Sequence, residues 1–152
     1  MKIFIMRHGE AEMMAQSDKA RKLTDNGQRQ AITQGNWLKS IAPELDKVLV
    51  SPYSRALETF EYINQSYDNR LIEKHEIWDA ITPYGNPELV SDYLAVLADQ
   101  NAQTVLLISH LPLVGEIITE LCGRNPIGFY PSTIVEVDWD TERGSIIQYK
   151  SA

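Results

Sequence analysis

The chain has 152 residues, of which 43% are hydrophobic, and this is the size and composition of one globular domain with a core of its own. Its formal charge of -7 at pH 7 disfavours nucleic acid and anionic membranes as partners, because the mean field repels phosphate groups. Any anionic ligand therefore needs a local positive pocket. We expect a single domain over residues 1–152.

Cysteine usage and the first residues of the chain bear on its compartment. The single cysteine, Cys122, cannot form an internal disulfide, which suits a reducing compartment and predicts a cytoplasmic protein. We expect Cys122 to be a core residue at a helix end. The apolar run at residues 3–6 is too short for a signal peptide or a membrane span, so no membrane association is expected. The oligomeric state stays open, a monomer included.

Four short apolar runs have the character of strands, and segments of helical character follow them. The strand-type runs are residues 2–6, 46–50, 71–76 and 104–109. The helical segments begin near Thr24, just after Ser51, at Pro87 and at Pro112. We place Pro52 in the first turn of the second helix, where its missing N–H costs least.

The order of these elements indicates an α/β fold. Residues 105–108 are apolar on both faces, as a parallel strand between two helical layers requires. Alternation of strand and helix predicts a three-layer sandwich, in which a mostly parallel central sheet carries helices on both faces. Residues 133–139 alternate in polarity, and a turn at 140–144 leads into residues 145–149. A C-terminal antiparallel hairpin is therefore expected.

Reactive side chains follow three of the predicted strands, and ligands of open α/β sheets bind beyond such strand ends. Arg7 and His8 follow the first strand, Arg55 the second and His110 the fourth. Arginines bind phosphoryl oxygens bidentately and keep their charge near neutral pH. A neutral imidazole presents a lone pair without needing a base, and Gly9 leaves room beside it. We expect a phosphoryl-transfer site with His8 as nucleophile and with a hydrogen bond from His110 to the transferring group.

Three motifs in this order resemble the histidine phosphatase superfamily, also called the phosphoglycerate mutase-like superfamily. They are Arg7-His8-Gly9-Glu10, Ser51-Pro52-Tyr53-Ser54-Arg55-Ala56-Leu57-Glu58-Thr59 and Ser109-His110. The start of the family's first helix is similar to Leu23-Thr24-Asp25-Asn26-Gly27 with Gln30-Ala31. Within the superfamily, SixA-type protein phosphohistidine phosphatases are similar in their small size and in the stretch Ile108-Ser109-His110-Leu111-Pro112-Leu113-Val114-Gly115. The resemblance implies that His8 is phosphorylated and that Arg7, Arg55 and His110 complete the phosphate pocket.

The proton donor is the part of the family pattern that stays unassigned. Many members carry an acidic donor on an inserted segment, and the alternatives here are Glu10, Glu76, Asp79 or none. General acid help is typically worth ~10² to 10⁴ in rate when an alkoxide leaves, whereas the imidazole of a phosphohistidine is a weakly basic leaving group that needs less. The chain also has little spare length for a lid that would bury a small ligand. Both features favour a phosphohistidine-bearing phosphotransfer protein as substrate.

Two other functions remain open. One is a phosphatase or mutase for a small phosphate monoester, such as a sugar phosphate, and the other is a non-catalytic phosphate-binding module. No carboxylate or cysteine set at ligand spacing accompanies His8 and His110, so we expect neither a metal nor a cofactor. The remaining conspicuous side chains have simpler interpretations: His75 as a capped or surface residue, Glu10 and Glu12 as solvated carboxylates, and Trp37 and Trp78 as packing residues.

Overall fold

A six-stranded sheet forms the middle layer of the structure, a computed structural model that describes residues 1–152. In chain order the strands are β1 (Lys2–Arg7), β2 (Lys47–Val50), β3 (His75–Ile77), β4 (Thr104–Ser109), β5 (Ile134–Trp139) and β6 (Gly144–Lys150). Their order across the sheet is β3-β2-β4-β1-β5-β6. The first four are mutually parallel, whereas β5 runs antiparallel to β1 and β6 antiparallel to β5. The predicted mostly parallel sheet with a C-terminal antiparallel hairpin is confirmed.

Four α-helices cover the two faces of this sheet. They are α1 (Asp25–Ile41), α2 (Ser54–Ser66), α3 (Pro87–Asp99) and α4 (Leu113–Cys122). Ile3 and Ile5 of β1 pack with residues of α3 and α4, whereas Phe4 and Met6 pack with residues of α1 and α2. Successive side chains of a strand point to opposite faces, so the two pairs of helices lie on opposite sides of the sheet. The three-layer sandwich is therefore confirmed.

The helix ends follow local signals in the sequence. Thr24 precedes α1, and its Oγ1 accepts the N–H of Gly27 at 3.0 Å, which satisfies one of the free donors of the first turn. Helix α4 ends at Gly123, whose φ of 86° is a left-handed conformation that favours glycine. Cys122 is the last residue of α4 and is partly buried against the core, as expected. No helix combines the length and the apolar character that crossing a membrane requires.

Two expectations about local structure are wrong. Pro52 lies before α2 rather than in its first turn, because the chain turns at Ser51, whose Oγ accepts the N–H of Tyr53 at 3.3 Å, and the helix begins only at Ser54. Of the strand predicted at residues 71–76, only the end belongs to β3, and Ile72–Lys74 forms a 3-10 helix. β3 is an edge strand and such strands are commonly short. His75 has the hydrogen-bonded form of its prediction as a capped or surface residue: its Nδ1 lies 2.5 Å from the carbonyl oxygen of Ile72. Its half-buried ring stacks on Phe60, with ring centroids 4.6 Å apart.

Candidate active site

The four predicted pocket residues converge at the carboxyl ends of β1, β2 and β4, which are neighbours in the sheet. Arg7 ends β1 and His8 follows it, His110 follows β4, and Arg55 lies in the first turn of α2 after β2. The ring centroids of His8 and His110 are 5.0 Å apart, and Nε of Arg55 lies 3.2 Å from Nε2 of His8. The structure thus brings together every residue that the sequence assigned to the phosphate pocket.

The two ring nitrogens of His8 have different partners. Nδ1 lies 2.7 Å from the carbonyl oxygen of Gly9, which can only accept, and Nε2 faces the Nε–H of Arg55, which can only donate. Both contacts assign the proton to Nδ1 and the lone pair to Nε2. Burial lowers the pKa of His8 to about 3, outweighing the hydrogen bond to Gly9, and the positive charges of Arg55, Arg7 and Arg21 lower it further. His8 is therefore neutral at neutral pH, with a lone pair that faces Arg55.

Thr59 joins the loop after β1 to helix α2. Its Oγ1 accepts the backbone N–H of Gly9 at 3.0 Å and donates to the carbonyl oxygen of Arg55 at 2.7 Å. A Cβ on Gly9 would lie 2.7 Å from the carbonyl oxygen of Gly27, so only glycine permits this approach of the loop to α1. The side chain of Thr59 is completely buried. It therefore fixes the backbone of the His8 loop relative to that of Arg55.

Arg55 is held by Asp18, a residue that the sequence did not single out. The Nη1 group donates to the backbone carbonyl of Asp18 at 2.7 Å, and Nη2 lies 3.2 Å from its carboxylate. Arg21 pairs with the same carboxylate at 3.0 Å. The segment between β1 and α1 thus covers Arg55, which is only 4% exposed.

Arg7 supplies the second positive charge of the pocket. Its Nη1 donates to the carbonyl oxygen of Phe129 at 2.8 Å, while its buried Nε has no partner. Burial lowers the pKa of Arg7 below its ordinary value, and the charges of Arg55 and Arg21 act in the same direction. Arg21 is linked to Arg55 through the carboxylate of Asp18, so three guanidinium groups act on one small region. An acidic chain therefore contains the local positive pocket that an anionic ligand requires.

His110 contacts Ser51 through one nitrogen and has the other free. Its Nε2 lies 2.7 Å from Oγ of Ser51, and its buried Nδ1 has no partner. Burial lowers the pKa of His110 to about 2, with further contributions from His8 and Arg55, so the ring is neutral. When the Ser51 hydroxyl donates to Nε2, the proton of the ring resides on Nδ1, which has no partner within the protein. Ser51 is the first residue of the motif that ends at Thr59, but its position in the sequence did not predict a contact with His110.

The three candidates for the proton donor lie in different surroundings. The Oε1 and Oε2 atoms of Glu10 accept hydrogen bonds from Thr24 at 2.8 Å and Asn26 at 3.1 Å, which lower its pKa. Glu76 accepts from the Tyr93 hydroxyl at 2.6 Å and pairs with Lys47 at 3.1 Å, next to the amino end of β2. Both carboxylates are thus engaged in structural contacts. Asp79 is exposed in the 3-10 helix Asp79–Ile81 that follows β3.

Metal binding has no support in the arrangement of side chains. No group of three or more His, Cys, Asp and Glu residues is placed to hold a metal ion. The reactive groups of the pocket are two neutral imidazoles and guanidinium cations, and only the imidazoles can coordinate a metal. The metal-free site stays a prediction from the sequence.

Several known proteins are similar to this chain in sequence or structure. The family described as the histidine phosphatase superfamily (branch 1) matches residues 3–83. The phosphohistidine phosphatase SixA homolog of Haemophilus influenzae is 54% identical, over all of this chain and 96% of its own length. The phosphohistidine phosphatase SixA of Escherichia coli is 43% identical, over 92% of this chain and 86% of its own. A solved structure of the protein histidine phosphatase SixA complexed with tungstate has a TM-score of 0.93 at 41% identity, covering 99% of this chain and 97% of that one.

Proposed function

The chain belongs to the histidine phosphatase superfamily, and on that premise we propose that it is a protein phosphohistidine phosphatase with a covalent phosphohistidine intermediate at His8. The observation that carries the proposal is the assignment of a lone pair to Nε2 of His8, beside the guanidinium group of Arg55. A neutral imidazole in this position is a nucleophile that needs no separate base. The names of the relatives at 54% and 43% identity support the same activity.

In the first step, Nε2 of His8 attacks phosphorus, and the bond between phosphorus and the substrate's imidazole nitrogen breaks. Arg7 and Arg55 stabilise the charge on the equatorial oxygens, and Nδ1–H of His110 donates to one of them. The phosphorylated ring of His8 retains its Nδ1–H, which continues to donate to the carbonyl oxygen of Gly9. This hydrogen bond stabilises the positive charge that the ring gains on phosphorylation.

In the second step, water attacks the phosphorus of the intermediate and releases inorganic phosphate, while His8 regains its lone pair. The first step exchanges one P–N bond for another and is nearly balanced in free energy, so hydrolysis makes the cycle irreversible. A nitrogen leaving group needs little help from a general acid. The structural contacts of Glu10 and Glu76 fit such a substrate, because neither carboxylate is free to act as an acid.

The proposed substrate is a phosphotransfer or signalling protein that carries a phosphohistidine. The proposal extends to residues 1–152 as one catalytic domain, since both helical layers pack on the same sheet. It also extends to a metal-free mechanism, in which arginines supply the positive charge. A cytoplasmic location is supported by the single free thiol of Cys122.

Phosphate release from a histidine-phosphorylated phosphotransfer domain tests the proposal. We expect the protein to release phosphate and to carry an acid-labile phosphoryl group in rapid-quench samples. The variant His8→Ala should lose both signals, with a fall in rate of roughly 10⁴-fold or more. The control variant His75→Ala changes a histidine that packs on Phe60 outside the pocket and should retain activity.

Three results would decide between the proposal and its alternatives. Undiminished phosphate release by His8→Ala would contradict the mechanism. A kcat/KM for a sugar phosphate well above that for the phosphodomain would favour a phosphatase or mutase for small esters. No phosphoenzyme with any of several phosphodonors would favour a non-catalytic phosphate-binding module.

A further inference from the structure

The four most exposed large hydrophobic side chains of the protein lie on loops that are attached to the pocket. They are Tyr84, Met13, Met14 and Tyr130, with exposed fractions of 90%, 86%, 84% and 70%. Single exposed hydrophobic residues are common on protein surfaces, but a group from three separate loops around one site marks an interaction surface. We call these four residues the apolar rim.

Tyr130 belongs to a segment that hydrogen-bonds directly to the pocket. The carbonyl oxygen of the preceding residue, Phe129, accepts from the side chain of Arg7 at 2.8 Å. The backbone N–H of Arg7 donates to Thr133 at 3.1 Å, and the N–H of Thr133 donates to the carbonyl oxygen of Tyr130 at 3.0 Å. The backbone of Tyr130 is thus held beside the arginine that we assign to phosphate binding, while its ring projects into solvent.

Tyr84 is held on the other side, next to His110. Oγ of Ser109, the residue before His110, donates to the carbonyl oxygen of Ile81 at 2.7 Å. Gly85 packs so closely on Leu113 at the start of α4 that a Cβ would lie 2.9 Å from its side chain. The loop that carries Tyr84 is therefore held by Ser109, the residue before His110, and by Leu113 at the start of α4.

Met13 and Met14 lie on the segment that covers Arg55. The N–H of Glu12 donates to the carbonyl oxygen of Lys22 at 2.8 Å, which closes the base of this loop. Asp18, four residues beyond Met14, contacts Arg55 through its backbone carbonyl and its carboxylate. Both methionines therefore lie on a loop that is anchored to the phosphate-binding arginine.

We propose that the apolar rim docks the substrate protein through an apolar surface that surrounds the partner's phosphohistidine, an inference that rests on the proposed function. His8 and His110 are 7% and 1% exposed, so a phosphohistidine reaches them only when the element that carries it comes close to the surrounding loops. The rim and the pocket then form one continuous surface. A small phosphate ester would fill the pocket without contacting residues that project into solvent.

The residue types of the rim suit such a docking role. Tyrosine offers a large contact area with little loss of conformational freedom, and methionine adapts its flexible side chain to an irregular surface. Aromatic side chains are also enriched among the residues that dominate binding energy. None of the four rim side chains carries a charge, so apolar contact is the means of docking that the rim provides.

The test compares two probes: a histidine-phosphorylated phosphotransfer domain and a short phosphohistidine peptide cut from that domain. We expect Tyr84→Ser and Tyr130→Ser each to lower kcat/KM for the domain about tenfold, mainly through KM, and to leave hydrolysis of the peptide unchanged. Both side chains are solvent-exposed, so the fold tolerates the changes. The control is Ile72→Ser, which alters a side chain that is 53% exposed. Ile72 lies next to the amino end of β3, whereas the pocket lies at the carboxyl ends of the parallel strands, so this variant should affect neither probe.

Several outcomes would overturn the docking surface while the proposed function stands. These are wild-type kcat/KM for the domain in both tyrosine variants, an equal loss on the peptide, or a wild-type protein that hydrolyses the domain no better than the peptide. Self-association in sedimentation that disappears in the variants would assign the rim to a second copy and overturn the proposal as well. If the wild-type protein hydrolyses neither probe, the proposed function itself fails.

Discussion

The Nε–H of Arg55 donates to Nε2 of His8 across 3.2 Å, so the proposed nucleophile is hydrogen-bonded to an arginine that we assign to phosphate binding. This contact orients the imidazole and leaves its lone pair facing the cation. A phosphoryl group that bonds to Nε2 must displace this N–H, which then becomes a donor for a phosphoryl oxygen. Arg55 thereby changes its acceptor during the reaction without moving far from His8.

Lowering the pH from 7 to 5 is expected to destabilise the fold through His8 and His110. Their folded pKa values of about 3 and about 2 lie below the ordinary value of 6.5, because burial disfavours the charged rings. At pH values between the folded pKa of each histidine and 6.5, the unfolded chain binds more protons than the folded chain. The stabilisation is therefore complete above about pH 6.5 and falls as the pH falls. Each histidine should account for up to about 2 kcal/mol of the free energy of unfolding between pH 7 and 5.

Urea unfolding at the two pH values measures this effect, and His8→Asn with His110→Asn provides the control. The double variant should lose most of the pH dependence in this window. Carboxylates with lowered pKa values, such as Glu10 and Asp18, titrate at more acidic pH and contribute little there. A wild-type protein that is equally stable at pH 5 and pH 7 would show that the histidines are not buried in their neutral form.

Replacing Ser51 with alanine is expected to lower kcat roughly tenfold or more with a smaller change in KM, because the ring of His110 loses the partner that fixes its tautomer. Steady-state kinetics on the phosphodomain measure the two constants. Ser109→Ala is the matched control, since this buried hydroxyl bonds to the backbone of Ile81 rather than to a pocket histidine. An equal loss of kcat in both variants would assign the effect to general disruption.

Asp18→Asn is expected to tighten the binding of tungstate, a phosphate analogue, by roughly two- to fivefold, the range of a partly exposed ion pair. The carboxylate of Asp18 competes with an anionic ligand for Arg55 and repels it. Isothermal titration calorimetry measures the change. Asp68→Asn removes an equal charge from the ion pair with Lys39, outside the pocket, and should have no effect. Weaker binding to Asp18→Asn would mean that Asp18 acts chiefly by ordering its loop.

Thr59→Val is expected to lower the free energy of unfolding by about 1–3 kcal/mol, because the N–H of Gly9 would be buried without an acceptor. Thr59→Ser keeps the hydroxyl and should retain most of this stability. Denaturation in urea at pH 7 compares the two variants with the wild type. If valine and serine have equal effects, the hydrogen bond between the His8 loop and α2 contributes nothing.

The sequence predicted the architecture because strands and helices leave periodic patterns. The apolar run at residues 105–108 indicated a strand covered on both faces, and each of its side chains is fully buried in β4. Patterns of this kind do not report how far an edge strand extends. The run at residues 71–76 therefore predicted a longer strand than β3. The length of β3 is set by its pairing with β2, its one neighbour in the sheet.

The sequence by itself determined the fold class and predicted the four residues that we assign to the pocket, because the carboxyl ends of parallel strands meet at one edge of the sheet and three of those ends carry a reactive side chain. Only the tertiary structure decided that Nε2 of His8 carries the lone pair. It also decided that Asp18 contacts Arg55, that Ser51 contacts His110, and that Thr59 bonds to the backbones of Gly9 and Arg55. Most of those hydrogen bonds join positions far apart in the chain, and their geometry depends on how loops pack on one another. No local pattern of residues records that packing.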